Sequence, residues 1–397
     1  MTKLLFMTLL ILTITIPVSG VGAAADNAWV VIDQQEYSVD GQPIALSPDG
    51  KWLAGTGEET NFCVWSLPDL DEYCDDATFT ANESTVVWAP DSSQVAFAGD
   101  PAKYLVDSDI VVFDVESKRI TNLTDDPDEV QDPDIFSKEP RITHADTFPL
   151  WSGNGESLFF IRGDFGSEQL TTQIMSLEVA SGEIKEYFTI SPDRWFTVYS
   201  PIFELPDGSL LISVGNYDED KDQNGIWKVA PDGKRIDPVL ESGNEESLQA
   251  LSVSDVSSDG TMAIVYSAQM SFDSPWQSPY MLLDLESGEY VSFFHPDLKG
   301  SSPDPWGNPQ FIGTSTELVY RISLPDSSDH GLAVGLTDPY TLVESLGESY
   351  NYVMRASDDG SILILGDKGD AMVVQTEWSG EEGTPPAPCS CTPPPEN

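Results

Sequence analysis

One turn recurs along this chain, and nothing in the sequence constrains its fold more. The stretch LSPDGKWLAGTG, Leu46 to Gly57, has an apolar lead, then Ser, Pro, Asp and Gly, then an alternating apolar run. Pro48 fixes φ at a corner, Asp49 can accept hydrogen bonds from its own backbone two residues on, and Gly50 takes a left-handed conformation at little cost. That grammar specifies a hairpin. It recurs as VVWAPDSSQVAFAG (Val86 to Gly99), FPLWSGNGESLFFIRG (Phe148 to Gly163) and IFELPDGSLLISVG (Ile202 to Gly215). Looser copies are VSDVSSDGTMAIVYS (Val253 to Ser267), PQFIGTSTELVYRIS (Pro309 to Ser323) and VMRASDDGSILILGD (Val353 to Asp367). Repetition on this scale decides architecture ahead of local propensity.

Most copies are followed by a second strand, polar turn and strand, clearest in Ile110 to Thr124, Ile174 to Phe188, Gly225 to Leu240 and Met281 to Phe294. Two hairpins make four antiparallel strands, the content of one propeller blade. Equivalent turn residues are 42 positions apart from Asp49 to Asp91 and 52 apart from Asp207 to Asp259. The longer step from Asp91 to Asn154 holds an acidic insertion, Asp125 to Asp146. The chain is therefore expected to be all-β, a single closed β-propeller of about seven four-stranded blades, with six or eight as the neighbouring counts. A pair of β-sandwiches is the alternative, but it would not require one turn motif at blade intervals. Closure removes exposed sheet edges, and Asn27 to Tyr37 is placed to complete the last blade by pairing with Ala371 to Trp378.

The quoted turns carry a resemblance. LSPDGKWLA, WAPDSSQVAFAG and LPDGSLLIS, with second-hairpin turns such as DLESG, resemble the WD40-like, TolB-type propeller repeat from about Asn27 to Trp378. Three copies keep the Pro-Asp turn, and the others lack its proline. The resemblance implies a periplasmic or extracellular propeller that acts by binding, or that stands beside a peptidase domain. It brings no catalytic residue, because the repeat is structural. A propeller with an appended serine hydrolase would need a further domain after the last blade, where this chain has a Pro-rich tail.

Composition narrows the partners. The chain has 18 basic against 67 acidic side chains, a formal charge of −49, which argues against nucleic acid or an anionic membrane surface. Lys3, the apolar run Leu4 to Val18 and the small residues Ala23 to Ala25 form a leader, so residues 1–25 are expected to be a signal peptide cleaved before Asp26. An uncleaved anchor is the alternative; no later stretch could span a bilayer. Residues 26–380 are assigned to the propeller and 381–397 to a Pro-rich disordered tail holding Cys389 and Cys391. The expected location is outside the cytoplasm: periplasmic, cell-surface or extracellular. In that setting Cys63 and Cys74, on neighbouring strands of one blade, are a candidate disulfide.

Chemistry is less legible than architecture. In NYDEDKDQNGIW, Asp220, Asp222 and Asn224 alternate ahead of Gly225, with Asp218 close by. This is the start of a calcium-binding loop pattern, although Pro231 stands where a full loop carries its bidentate Glu. Calcium is the only cofactor the sequence suggests. In the acidic insertion Asp128, Asp132 and Asp134 suit cations or a basic partner, and a long loop on a rigid scaffold is a common seat of binding. Trp195, Trp276 and Trp306 lie in irregular segments and are candidate stacking surfaces, whereas Trp52, Trp65, Trp88, Trp151 and Trp227 occupy repeat or strand positions and are assigned to the core. His144, His295 and His330 fall in three different blades, and FIGTSTELV around Ser315 lacks the last Gly of a nucleophile elbow. With no catalytic motif, the expected function is a non-enzymatic, monomeric binding or scaffold propeller recognising a protein, peptide or glycan through its loop face. The alternative is a propeller hydrolase or lyase acting on glycans or peptides with acidic residues at the central channel.

Overall fold

The repeated turns fold as their chemistry demands. In the first, Ser47 Oγ donates to Asp49 Oδ1 at 2.7 Å, the amides of Lys51 and Trp52 donate to Asp49 Oδ1 and Ser47 Oγ at 3.1 and 3.0 Å, and Gly50 sits at φ 68°. The same net recurs around Ser152 and Asn154, and around Ser257 and Asp259. Each turn thus satisfies its own backbone before any tertiary contact is made.

The computed structural model describes residues 28–57, 61–74, 80–81, 85–100, 108–125, 144–164, 171–189, 195–196, 201–215, 224–242, 251–267, 279–292, 302–303, 309–313, 315–324, 328–335, 340–347, 350–356, 359–366 and 369–379. Their strands form seven antiparallel sheets, each one blade. Blade 1 runs Gly41–Leu46, Trp52–Gly57, Phe62–Ser66 and Glu72–Cys74 from the channel outward. Blade 3 runs His144–Trp151, Ser157–Asp164, Thr171–Glu178 and Glu183–Thr189. Blade 5 runs Leu251–Val256, Met262–Ser267, Tyr280–Asp284 and Tyr290–Ser292. Blades 2, 4 and 6 keep the order, with the inner strand split into two short pieces, such as Thr80–Ala81 and Val87–Trp88 in blade 2.

Blade 7 closes the ring. Its inner three strands are Tyr350–Ala356, Ile362–Gly366 and Asp370–Trp378, and its outer strand is the N-terminal Trp29–Ser38, paired antiparallel from Trp29↔Trp378 to Ser38↔Asp370. The expected closing pair is formed, and the blade number is seven.

The core is a ring of seven apolar clusters, one at each junction between adjacent blades. Phe62 of blade 1 stacks on Phe97 of blade 2 with centroids 4.1 Å apart, and Leu363, Leu365 and Val373 of blade 7 pack on Leu53, Cys63 and Trp65 of blade 1. Strand residues alternate between the two neighbouring junctions, which explains why third strands such as Phe62–Ser66 read as nearly unbroken apolar runs. Trp65, Trp88, Trp151 and Trp227 are buried as expected of repeat positions. The indole N–H groups of Trp88 and Trp151 each donate to a carbonyl of the preceding blade, Ala45 and Val87. Among the described residues no helix is long and apolar enough to cross a membrane.

Candidate functional site

Antiparallel topology gives the ring two unlike ends. The turns between first and second strands, and between third and fourth, lie at one end; these are the short Ser, Asp and Gly turns. The connections between second and third strands, and from each blade to the next, leave from the other end. The acidic insertion, the Asp218 to Asn224 loop and the segment with Trp276 are connections of this second kind, whereas Trp195 lies in the inner strand of blade 4 and Trp306 falls between the two inner-strand pieces of blade 6, Ser302–Pro303 and Gln310–Phe311. The strand ends that flank them converge on one mouth of the channel.

Asp128, Asp132, Asp134, Asp218, Asp220, Asp222, Trp276 and Trp306 themselves lie outside the described residues, as does His295. Trp195 opens the short inner strand Trp195–Phe196 of blade 4. Asn224 is buried just before the third strand of blade 4, its carbonyl accepting from the Ser242 amide at 2.7 Å. His144 and His330 sit on blades 3 and 6, each at the mouth end of its strand. Ser315 is buried and its hydroxyl donates to the Ile312 carbonyl at 2.6 Å, closing the blade 6 turn.

The acidic insertion is shorter than the sequence suggested. Its last residues, His144 to Asp146, belong to the inner strand of blade 3. Asp146 is 1% exposed and lies opposite Arg162 in the sheet register. Arg162 grips it with two parallel bonds, Nε to Oδ1 at 2.7 Å and Nη2 to Oδ2 at 2.5 Å, and lies 5.6 Å from the Phe160 ring. The Asp146 backbone is locked to blade 2: its amide donates to the Ser108 carbonyl and its carbonyl accepts from Ser108 Oγ. Next to this, Asp109 accepts from Asn122 Nδ2 at 2.7 Å and from Thr124 Oγ1 at 3.2 Å. His144 is two residues from Asp146, hence on the same sheet face, and its Nδ1 is buried without a hydrogen-bond partner. The mouth between blades 2 and 3 therefore combines a fixed cation and carboxylate with an imidazole whose inner nitrogen is uncommitted. Sequence alone did not single out Asp146 and Arg162; the only signal was an acid and an Arg at matching distances from the blade 3 turn.

Cys63 and Cys74 are register partners in blade 1 and are joined by a disulfide, with Cα atoms 4.1 Å apart. With Glu72 they form the one group of three metal-type side chains found among the described residues, all within 4.8 Å. The two sulfurs are bonded to each other, so one carboxylate remains, and it accepts from Trp65 Nε1. A hard divalent ion needs several oxygen or nitrogen ligands, and this group does not supply them.

No family model matches the sequence, and no curated protein matches it. Solved structures do match. An oligogalacturonate lyase in complex with manganese aligns at 11% identity over 89% of this chain and 98% of its own, with a TM-score of 0.54. An oligogalacturonate lyase from Vibrio parahaemolyticus aligns at 12% identity over 88% and 98%, with a TM-score of 0.51. The β-propeller domain of the Trilobed protease from Pyrococcus furiosus, described as having an open velcro topology, aligns at 12% identity over 87% and 97%, with a TM-score of 0.52. The chain shares the β-propeller fold with these proteins; the finer TolB-type assignment is matched by no family model. The expectation of a non-enzymatic binding propeller is corrected here. It rested chiefly on the absence of a recognisable catalytic motif, and the lyases are enzymes whose chains align over 98% of their length with this one.

Proposed function

We propose that this protein is a propeller enzyme, a lyase or hydrolase acting on a glycan at the mouth where the long connections converge. One observation carries the reading: two proteins named as oligogalacturonate lyases align with this chain over 98% of their own length. Either reaction needs a proton acceptor and a charged environment that steadies the developing charge. His144, on the inner strand of blade 3, is suited to proton transfer there, and the Asp146 and Arg162 pair fixes the strand that carries it. A charge of −49 repels polyuronates, which favours an uncharged oligosaccharide as the substrate.

The group around Glu72 does not fit the manganese of the neighbour, so no step is routed through a metal. Calcium on Asp218, Asp220, Asp222 and Asn224 is a separate, structural proposal: a chelator should lower the unfolding temperature, and an unchanged temperature removes the ion. The leader and the disulfide support export.

The test is a panel of neutral, uronate and amino-sugar oligosaccharides, with peptides as a control class, incubated with residues 26–397. A lyase yields an unsaturated, ultraviolet-absorbing end, and a hydrolase yields only new reducing ends. His144→Asn should then lower kcat by about 100-fold or more. Turnover of no glycan, or of peptides alone, would contradict the proposal.

A further inference from the structure

The short-turn end of the ring has a regular stitch. Gly260 of blade 5 approaches the ring of Pro206 in blade 4 so closely that a Cβ would lie 2.4 Å from Cδ, and Gly155 of blade 3 faces Pro90 of blade 2 in looser contact, at 3.7 Å. Blade 6 has Gly313 where those turns have proline. The space is filled by the Trp29 indole from the N-terminal strand, which would lie 2.4 Å from a Cβ on Gly313 and 3.0 Å from one on Gly360 of blade 7. Trp29 is thus wedged between a turn of blade 6 and a turn of blade 7, the blade its strand completes.

The wedge is held by polar groups of uneven quality. The Trp29 amide donates to Tyr340 Oη at 2.7 Å, and beyond it Ala28 and Ser379 exchange three hydrogen bonds. The Trp378 ring meets Trp29 edge-on at 5.7 Å. The indole N–H of Trp29, the indole N–H of Trp378 and Oε2 of Glu317 are nevertheless all buried without a well-formed hydrogen bond. Glu317 stands just before the second strand of blade 6, Leu318–Ser323, and its carbonyl accepts from the Ile312 amide to close the turn. The Trp29 indole is near enough to favour its charged form, yet burial outweighs this and raises its pKa. Buried polar atoms left unpaired are rare, and three of them converge on this one contact.

We propose that the ring closure is a proton-operated clasp, in which ionisation of Glu317 loosens the N-terminal strand from blades 6 and 7. With Glu317 neutral, the wedge sits in an uncharged pocket; with Glu317 charged, the pocket holds a carboxylate with no regular partner. Tyr340 is the titratable group facing it from the outer strand of blade 6, and it stays protonated because burial and the Glu317 charge both raise its pKa. Glu377 beside Trp378 and Asp359 beside Gly360 are the nearest acids in sequence on the elements packed there. The sign is fixed by the raised pKa. The clasp is tightest below the ordinary carboxylate range and weakens as pH rises through the raised value.

The experiment is hydrogen exchange of the full chain, read on peptides covering Trp29–Ser38 and corrected for the intrinsic pH dependence of exchange. From a pH below the ordinary carboxylate range up to mildly alkaline solution, the opening equilibrium of wild type should rise by about tenfold for each pH unit by which Glu317 is raised. Glu317→Gln should hold the acidic level throughout. Tyr340→Phe should loosen the strand at every pH and keep the slope. An equal slope in wild type and Glu317→Gln, no slope in wild type, or a slope abolished by Tyr340→Phe would overturn the clasp.

Discussion

Asp146 and Arg162 show how much a single pair decides. The pair is withdrawn from water, with side chains 2% and 14% exposed, so removing one partner strands the other charge. Arg162→Met or Asp146→Asn is expected to cost about 3–5 kcal/mol, read from the urea midpoint, with the paired apolar replacement far milder. Asp207 makes the contrasting case at the turn end. A bond from the Lys228 ammonium, aided by the Ser209 hydroxyl, holds its pKa at about 2, below the ordinary 3.8. Its contribution is present above the ordinary value and fades as pH falls toward about 2. Because these side chains are 57% and 36% exposed, solvent screens the pair, and Asp207→Asn should soften the acid limb of stability by only a few tenths of a kcal/mol. Glu317 has the opposite sign, so acid and alkali act on different blades of the same short-turn end.

At the scale of strands and turns, most of the fold was legible because the signal is local. Ser47, Asp49 and Gly50 satisfy their own turn, and the blade count follows from repeating it. The loose copy FIGTSTELV was not explicable locally: its missing proline makes room for Trp29, which comes from the far end of the chain. The end of the acidic insertion was hidden for a similar reason, since His144 to Asp146 read as loop until Arg162 is seen opposite. The candidate site was legible only as a list of departures from the repeat, and the topology that sends them to one mouth needed the blades. Two elements give direct tests. The disulfide closes a separation of 11 residues, and the Cys63→Ser, Cys74→Ser double variant should lose about 2–3 kcal/mol. Lys118 of blade 2 lies over both rings of blade 1, 4.2 Å from the Trp52 centroid and 3.9 Å from that of Tyr73. Lys118→Met should lower stability by about 0.5–2 kcal/mol by thermal unfolding, with the loss persisting in salt that erases exposed ion pairs.

For the whole molecule, seven junctions in a closed ring separate stability from chemistry. The short-turn end is committed to stitching blades together, through the Ser and Asp nets, the glycine and proline contacts and the Trp29 wedge. The opposite mouth carries the long connections, the buried Asp146 and Arg162 pair and His144, and it is there that we place glycan turnover. Hydrogen exchange of the full chain with and without a saturating, slowly turned over oligosaccharide tests that division directly. The account predicts new protection in peptides covering 126–143, 216–223 and 268–278 and at the start of His144–Trp151, with the Ser47 to Gly50 and Ser257 to Gly260 turns unchanged. Protection confined to those turns, or the same protection from any acidic or neutral solute at equal concentration, would contradict it.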